Sequence, residues 1–195
     1  YAAEFNGTTG YIVAPSSKGD IEWSGQAFTM AAWVYMTDAS KNCIMAISPS
    51  TSTNDGAILI IDEDAATAVT SLALSFKEHG TSSNDNVAGV TAAGTLAINT
   101  WHHIAVTYSG GGSGTVGNYN FYIDGSLFTT GKSLTAGDYT GRTDTLTANS
   151  VYIGREKDDL FNGKMADVRL YDSVLSAGNI STLHGTNPTS SGTYP

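Results

Sequence analysis

Glu4, Glu22, Glu63, Glu78 and Glu156 are the glutamates of this chain, and with 13 aspartates they are its candidates for acid–base chemistry. Hydrolysis by a carboxylate pair needs two acids held at a fixed separation, which a strand supplies when they alternate along one face. The densest cluster, Asp62-Glu63-Asp64, is consecutive. Glu63 points away from its neighbours if the strand continues, and the cluster reads as a solvated turn. His102 and His103 are the closest pair of histidines. As neighbours on a strand they face opposite sides and cannot chelate one ion together. No Gly-x-Ser-x-Gly elbow is present. Cys43, the sole cysteine, excludes an internal disulfide and a thiolate metal cluster. It lies in the apolar run 43–47 and reads as a buried, inert thiol.

Binding chemistry has more candidates. Sugar recognition uses flat aromatic rings, because the apolar face of a pyranose stacks on them. Trp23 follows the polar run Lys18-Gly19-Asp20 and precedes Ser24-Gly25, which suits either a partly exposed platform or a cap on one end of the fold. The polar stretches 38–55, 78–86 and 155–161 supply groups that could orient a ligand: Asp38, Asn54, Asp55, Glu78, His79, Arg155 and Asp158.

The elements that must position these residues read as strands. Period-2 alternation or β-branched and aromatic runs mark 28–36, 57–61, 71–76, 101–108, 119–124, 151–154 and 165–171. Turn-forming stretches at 48–56, 80–89, 110–118 and 135–144 separate them. Long loops without helical period favour antiparallel pairing over βαβ units. Within 101–108, Trp101, His103, Ala105 and Thr107 face one way, and His102, Ile104, Val106 and Tyr108 the other. Both sets are substantially apolar, so both faces of this strand are expected to be covered. One short C-terminal helical turn is expected over 176–184, capped by Ser176 and stopped by Gly185. Residues 185–195 have linker composition, which sets the folded unit at 1–184.

Composition bounds the partners. Gly, Thr and Ser make up 68 of 195 residues, whereas charged residues are 14% against roughly 25% in ordinary globular proteins. Nine basic against 18 acidic residues give a net charge of −9, so a groove for a nucleic-acid backbone is not expected. No stretch reaches the ~18 apolar residues of a membrane span. The chain opens at Tyr1 in what reads as mid-strand, so a longer multidomain parent is expected.

Six motifs in order carry a resemblance: Ala3-Glu4-Phe5-Asn6-Gly7, Phe28-Thr29-Met30-Ala31-Ala32-Trp33-Val34, Trp101-His102-His103-Ile104-Ala105-Val106-Thr107, Phe121-Tyr122-Ile123-Asp124-Gly125, Val151-Tyr152-Ile153-Gly154-Arg155, and Phe161-Asn162-Gly163 running into Asp167-Val168-Arg169-Leu170-Tyr171. Together they resemble a laminin-G-like jelly roll of the concanavalin-A-like lectin/glucanase superfamily, over about residues 3–184. The resemblance implies an all-β fold, a two-sheet antiparallel sandwich, with Trp33 and Trp101 packed in the core between the sheets and His103 as a structural histidine. The glucanases of that superfamily carry Glu-x-Asp-x-x-Glu on one strand, and no glutamate here stands in that spacing. Catalysis is therefore not expected. The resemblance also raises a structural calcium, with Asn6 and Asp167 as ligands. Relatives often carry two acids before Val-Arg where this chain has Ala166-Asp167, and Asp where it has Asn6. The expected function is a non-catalytic carbohydrate-recognition module of a larger secreted or surface protein, extracellular or on a cell or virion surface, with a glycan or cell-surface polysaccharide as partner. The alternative is a structural or protein-interaction sandwich, an adhesin or phage-tail spacer without a sugar ligand.

Overall fold

The alternating runs do become strands, and register places their side chains. The computed structural model describes residues 2–14, 27–38, 42–48, 56–63, 70–77, 85–90, 96–110, 118–129, 133–135, 150–156 and 159–186. In chain order the elements are β1 (Ala3–Asn6), β2 (Ile12–Ala14), β3 (Phe28–Met36), β4 (Asn42–Ser48), β5 (Gly56–Glu63), β6 (Thr70–Lys77), β7 (Asp85–Val90) and β8 (Trp101–Tyr108). They continue with β9 (Tyr119–Ile123), β10 (Ser126–Phe128), β11 (Ser133–Thr135), β12 (Ser150–Ile153), β13 (Arg155–Glu156), β14 (Asp159–Leu160), β15 (Asn162–Tyr171) and one helix, α1 (Ala177–Thr186). One sheet runs β1-β15-β3-β8-β9-β10, the other β11-β7-β6-β5-β4-β12-β2, and β13-β14 form a separate hairpin. Every neighbouring pair is antiparallel.

Alternation on β3 and β8 sorts the core. Met30, Ala32, Val34 and Met36 face inward with Ile104, Val106 and Phe121, all fully buried, against Ile44 and Ile47 of β4. Each of these side chains other than Ala32 stabilises the sandwich by about 1.5–3 kcal/mol of transferred apolar surface. The opposite, outer face of the first sheet carries Ala31, Ala105 and Tyr122 in register across β3, β8 and β9. The two small alanines admit a helix, and Ile180 of α1 is fully buried on them with Leu175 and Leu183 beside it.

Several expectations need correction. Trp33 is buried, but on the outer face beneath α1, because it shares parity with Ala31 and not with Met30. Trp101, its counterpart on β8, is on the same face and only partly buried. The helix does not stop at Gly185. It runs to Thr186, whose hydroxyl satisfies the Leu183 carbonyl at 2.8 Å. Its start is as expected: the Asn179 N–H donates to Ser176 Oγ at 3.2 Å. The turn expected at 80–89 contains β7, where pairing with β6 overrides a sequence poor in strand formers. Asp62 and Glu63 belong to β5, opposite Ser71 and Thr70, and not to a turn.

Candidate functional site

The outer face of the first sheet has a covered end and an open end. At the open end Lys164 of β15, Tyr35 of β3 and Trp101 of β8 are register partners on three adjacent strands. Alternation points all three outward, beyond the reach of α1. The Tyr35 and Trp101 rings lie 5.6 Å apart at 56°, so they form a two-walled cradle and not a flat shelf. Both are partly exposed. The Lys164 ammonium sits 5.9 Å from the centre of the Tyr35 ring.

A polar rim closes this end. Asn6 pairs in register with Asn162. The Asn162 carbonyl accepts the Thr37 N–H at 3.2 Å and its hydroxyl at 3.3 Å, and the Asn162 amide donates to Asp38 Oδ2. Asn6 Oδ1 accepts the N–H groups of Thr8, Thr9 and Gly10 at 3.0, 2.9 and 3.2 Å, folding 6–10 into a tight turn. Gly7 takes φ 68° there, and a Cβ would stand 3.0 Å from Asn162 Cβ. On the β8 side, the Asn99 N–H donates to the Met36 carbonyl at 2.7 Å and brings the exposed turn 97–100 beside the aromatic pair.

The covered end holds the next row inward. Trp33 pairs with His103, whose ring is 5.3 Å away, and His184 of α1 stacks on Trp33 at 5.3 Å and 26°. His184 packs so closely on the β9–β10 turn that a Cβ at Gly125 would meet it at 3.0 Å. Burial, with the nearby His184, pushes the His103 imidazole down to about 4. Among the described residues neither His103 Nδ1 nor the Trp33 indole N–H has a hydrogen-bond partner, although both atoms are buried. His102 points to the inner face, where its two nitrogens have different roles. Nδ1–H donates to Asp124 at 2.9 Å, leaving Nε2 to accept the Ala97 N–H at 3.1 Å. Burial opposes ionisation of Asp124, yet hydrogen bonds from His102 and from the His103 N–H hold its carboxyl below the usual range.

Among the residues singled out from sequence, Asn6 and Asp38 share the rim through Asn162. Arg155 lies elsewhere, on the β13–β14 hairpin, with its guanidinium 4.6 Å above the Tyr11 ring. Trp23, Asn54, Asp55, Glu78, His79 and Asp158 lie outside the described residues. The expected calcium pair does not converge. Asn6 is opposite Asn162, and Asp167 is five residues further along β15, about 16 Å at ~3.3 Å per residue. Both are also engaged otherwise. Three N–H donors point at Asn6 Oδ1, an arrangement that repels a cation, and Asp167 Oδ1 accepts the Arg169 Nε–H at 2.7 Å. Asp167 sits at φ 50° in a bulge between Ala166 and Arg169, which aims it at that arginine. These two residues do not fit a shared Ca²⁺, which takes six to eight converging oxygens.

Sequence reasoning missed Tyr35, Trp101 and Lys164 as a group. Parity placed Trp101 on the same face as His103, but only the helix shows which part of that face is covered.

Comparison with known proteins agrees with the sandwich. The family model described as concanavalin A-like lectin/glucanases superfamily matches residues 6–181. Similar folds include a heptameric SAP-like pentraxin from Limulus polyphemus, at TM-score 0.59 and 16% identity, covering 96% of this chain and 83% of that one. The CBM40 of the Ruminococcus gnavus IT-sialidase bound to α2,3-sialyllactose superposes at TM-score 0.62 and 11% identity, covering 95% and 98%. The receptor-binding domain of the botulinum neurotoxin C/D mosaic serotype reaches TM-score 0.63 at 11% identity, with 94% of this chain spanning 42% of that one. No curated protein matches by sequence. With most of its length matched by that family model, the chain belongs to the concanavalin A-like lectin/glucanases superfamily.

Proposed function

We propose that this chain is a non-catalytic carbohydrate-binding module that seats a sugar ring in the cradle of Trp101 and Tyr35. The observation that carries the reading is this pair of partly exposed rings, 5.6 Å apart and tilted, on the end of a sheet that α1 leaves uncovered among the described residues. One ring offers a face to the apolar side of a pyranose and the other closes its edge, while Asp38, Asn162 and Thr37 supply polar groups at the rim. The CBM40 fold neighbour with its bound sialyllactose supports a carbohydrate ligand. Such a module acts outside the cell or on a cell or virion surface, as part of a longer chain.

The second reading, a protein-interaction sandwich, draws on the edge strand β2, where Ile12 and Val13 are 46% and 41% exposed. A glycan array followed by calorimetry separates the two. A carbohydrate module binds one glycan class above background, without turnover. Trp101→Ala then loses about tenfold or more in affinity, the scale of one stacking contact, with an unchanged circular-dichroism spectrum. Binding that survives both Trp101→Ala and Tyr35→Ala would move the site elsewhere.

A further inference from the structure

The chain carries a net charge of −9, yet the open end presents a cation. Arg169 is tied to Asp167 at 2.7 Å, and Arg155 lies over Tyr11. Lys164 differs: among the described residues no carboxylate stands within ion-pairing distance of its ammonium, which rests against the Tyr35 ring. The acids nearest in register or at the rim do not neutralise it. Glu4 faces Lys164 across the β1–β15 register without pairing to it, and Asp38 is held by the Asn162 amide.

We propose that the Trp101–Tyr35 cradle selects an acidic saccharide, whose carboxylate or sulfate is received by Lys164. This rests on the carbohydrate-binding reading above and names its ligand class. Lys164, Tyr35 and Trp101 stand on adjacent strands, each about 4.8 Å from the next, so the whole row spans about 10 Å. A pyranose against the aromatic pair therefore projects a ring substituent toward the lysine, whose flexible stem can follow it. The cation pairs with the anion in place of its weak contact with Tyr35. Glu4 is the opposing element: its exposed carboxylate repels the same anion and keeps affinity low for a weakly charged ligand.

The test compares matched oligosaccharides by calorimetry: an oligogalacturonate against its methyl ester, a sulfated galactan fragment against its desulfated form, and a sialylated lactose against lactose. The expected result is tighter binding of at least one acidic member over its neutral partner, weakening as salt is raised. Lys164→Gln should lose about three- to tenfold for the acidic ligand and leave the neutral one unchanged, whereas Glu4→Gln should tighten the acidic ligand. The pair that responds distinguishes a carboxylate from a sulfate. Trp101-dependent binding with equal affinity for neutral and acidic partners would overturn the charge selection and leave the module reading intact. An acidic preference unmoved by Lys164→Gln would overturn it equally. Binding of no glycan on an array would overturn both.

Discussion

The two ends of one sheet face are built from the same strands, yet among the described elements only one is covered. On β3 and β8 the outward residues run Ala31, Trp33, Tyr35 and Ala105, His103, Trp101. At the alanine end the face is low enough for α1 to lie on it, and Ile180 becomes fully buried. His184 carries the cover one row further by stacking on Trp33, and the described helix ends two residues later. One row on, Tyr35 and Trp101 stay partly exposed. Burial here is decided by where two small alanines let a helix distant in sequence dock, and by how far that helix runs from there.

The largest effect expected from that contrast is in paired tryptophan truncations. Trp33→Ala removes a ring buried between the sheet and His184 and should destabilise by about 3–5 kcal/mol. Trp101→Ala loses partly exposed contacts and should cost about 1–1.5 kcal/mol, while weakening ligand binding by the roughly tenfold expected of one lost stacking contact. Denaturant unfolding of both variants checks the ranking. Equal costs would mean that the two ends are covered alike.

Acid should distinguish the ends next. His103 is held neutral in the fold, its imidazole near 4 against an ordinary 6.5. Above pH 6.5 neither state binds its proton, and this group leaves stability unaffected. Between about pH 6.5 and 4 the unfolded chain takes up the proton and the folded one does not, so stability falls with pH by about 3 kcal/mol and then levels off. His184 from α1 adds to the penalty, as does Arg169 of β15 more weakly, while Asp124 and Asp167 oppose it. Hydrogen exchange at pH 4.5 should open α1 before the strands at the open end. Melting curves between pH 7 and 4 should flatten in His103→Asn, and His184→Gln should raise the His103 midpoint in an NMR titration. An unchanged slope in His103→Asn would assign the acid sensitivity to other groups.

Much of this was legible in the residues. The boundaries of β3 and β8, the split of 101–108 into two faces and the Ser176 cap followed from period-2 alternation and cap chemistry. β7 was not legible, because Asp85, Asn86 and Gly89 carry a turn-like composition that only cross-strand pairing overrides. The site was legible only in part. Alternation shows which residues share a face, but whether Trp33 or Trp101 is the buried one depends on where α1 lands. That Asn6 and Asp167 stand apart has a related reason: adjacency of their strands was foreseeable, whereas register along them was not.

The smallest effect concerns what holds the rim of the open end. The sequence allowed either a cation or a turn at Asn6-Gly7, and the geometry favours the turn. Asn6 Oδ1 serves three backbone donors, and Nδ2 donates to Thr9 Oγ1 at 3.0 Å. Asn6→Ala leaves those N–H groups to exposed solvent, so its cost should be about 1 kcal/mol, well below that of a buried unsatisfied set. With the turn held by these hydrogen bonds, the cost should be the same in excess calcium and in chelator. Asn6→Asp keeps the acceptor geometry and should restore the stability under both conditions. The measurement is a set of melting curves for wild type, Asn6→Ala and Asn6→Asp, each with calcium and with chelator. A loss in Asn6→Ala that appears only with calcium would mean that a cation organises this rim after all, and the open end would then be a metal-built site and not a hydrogen-bonded one.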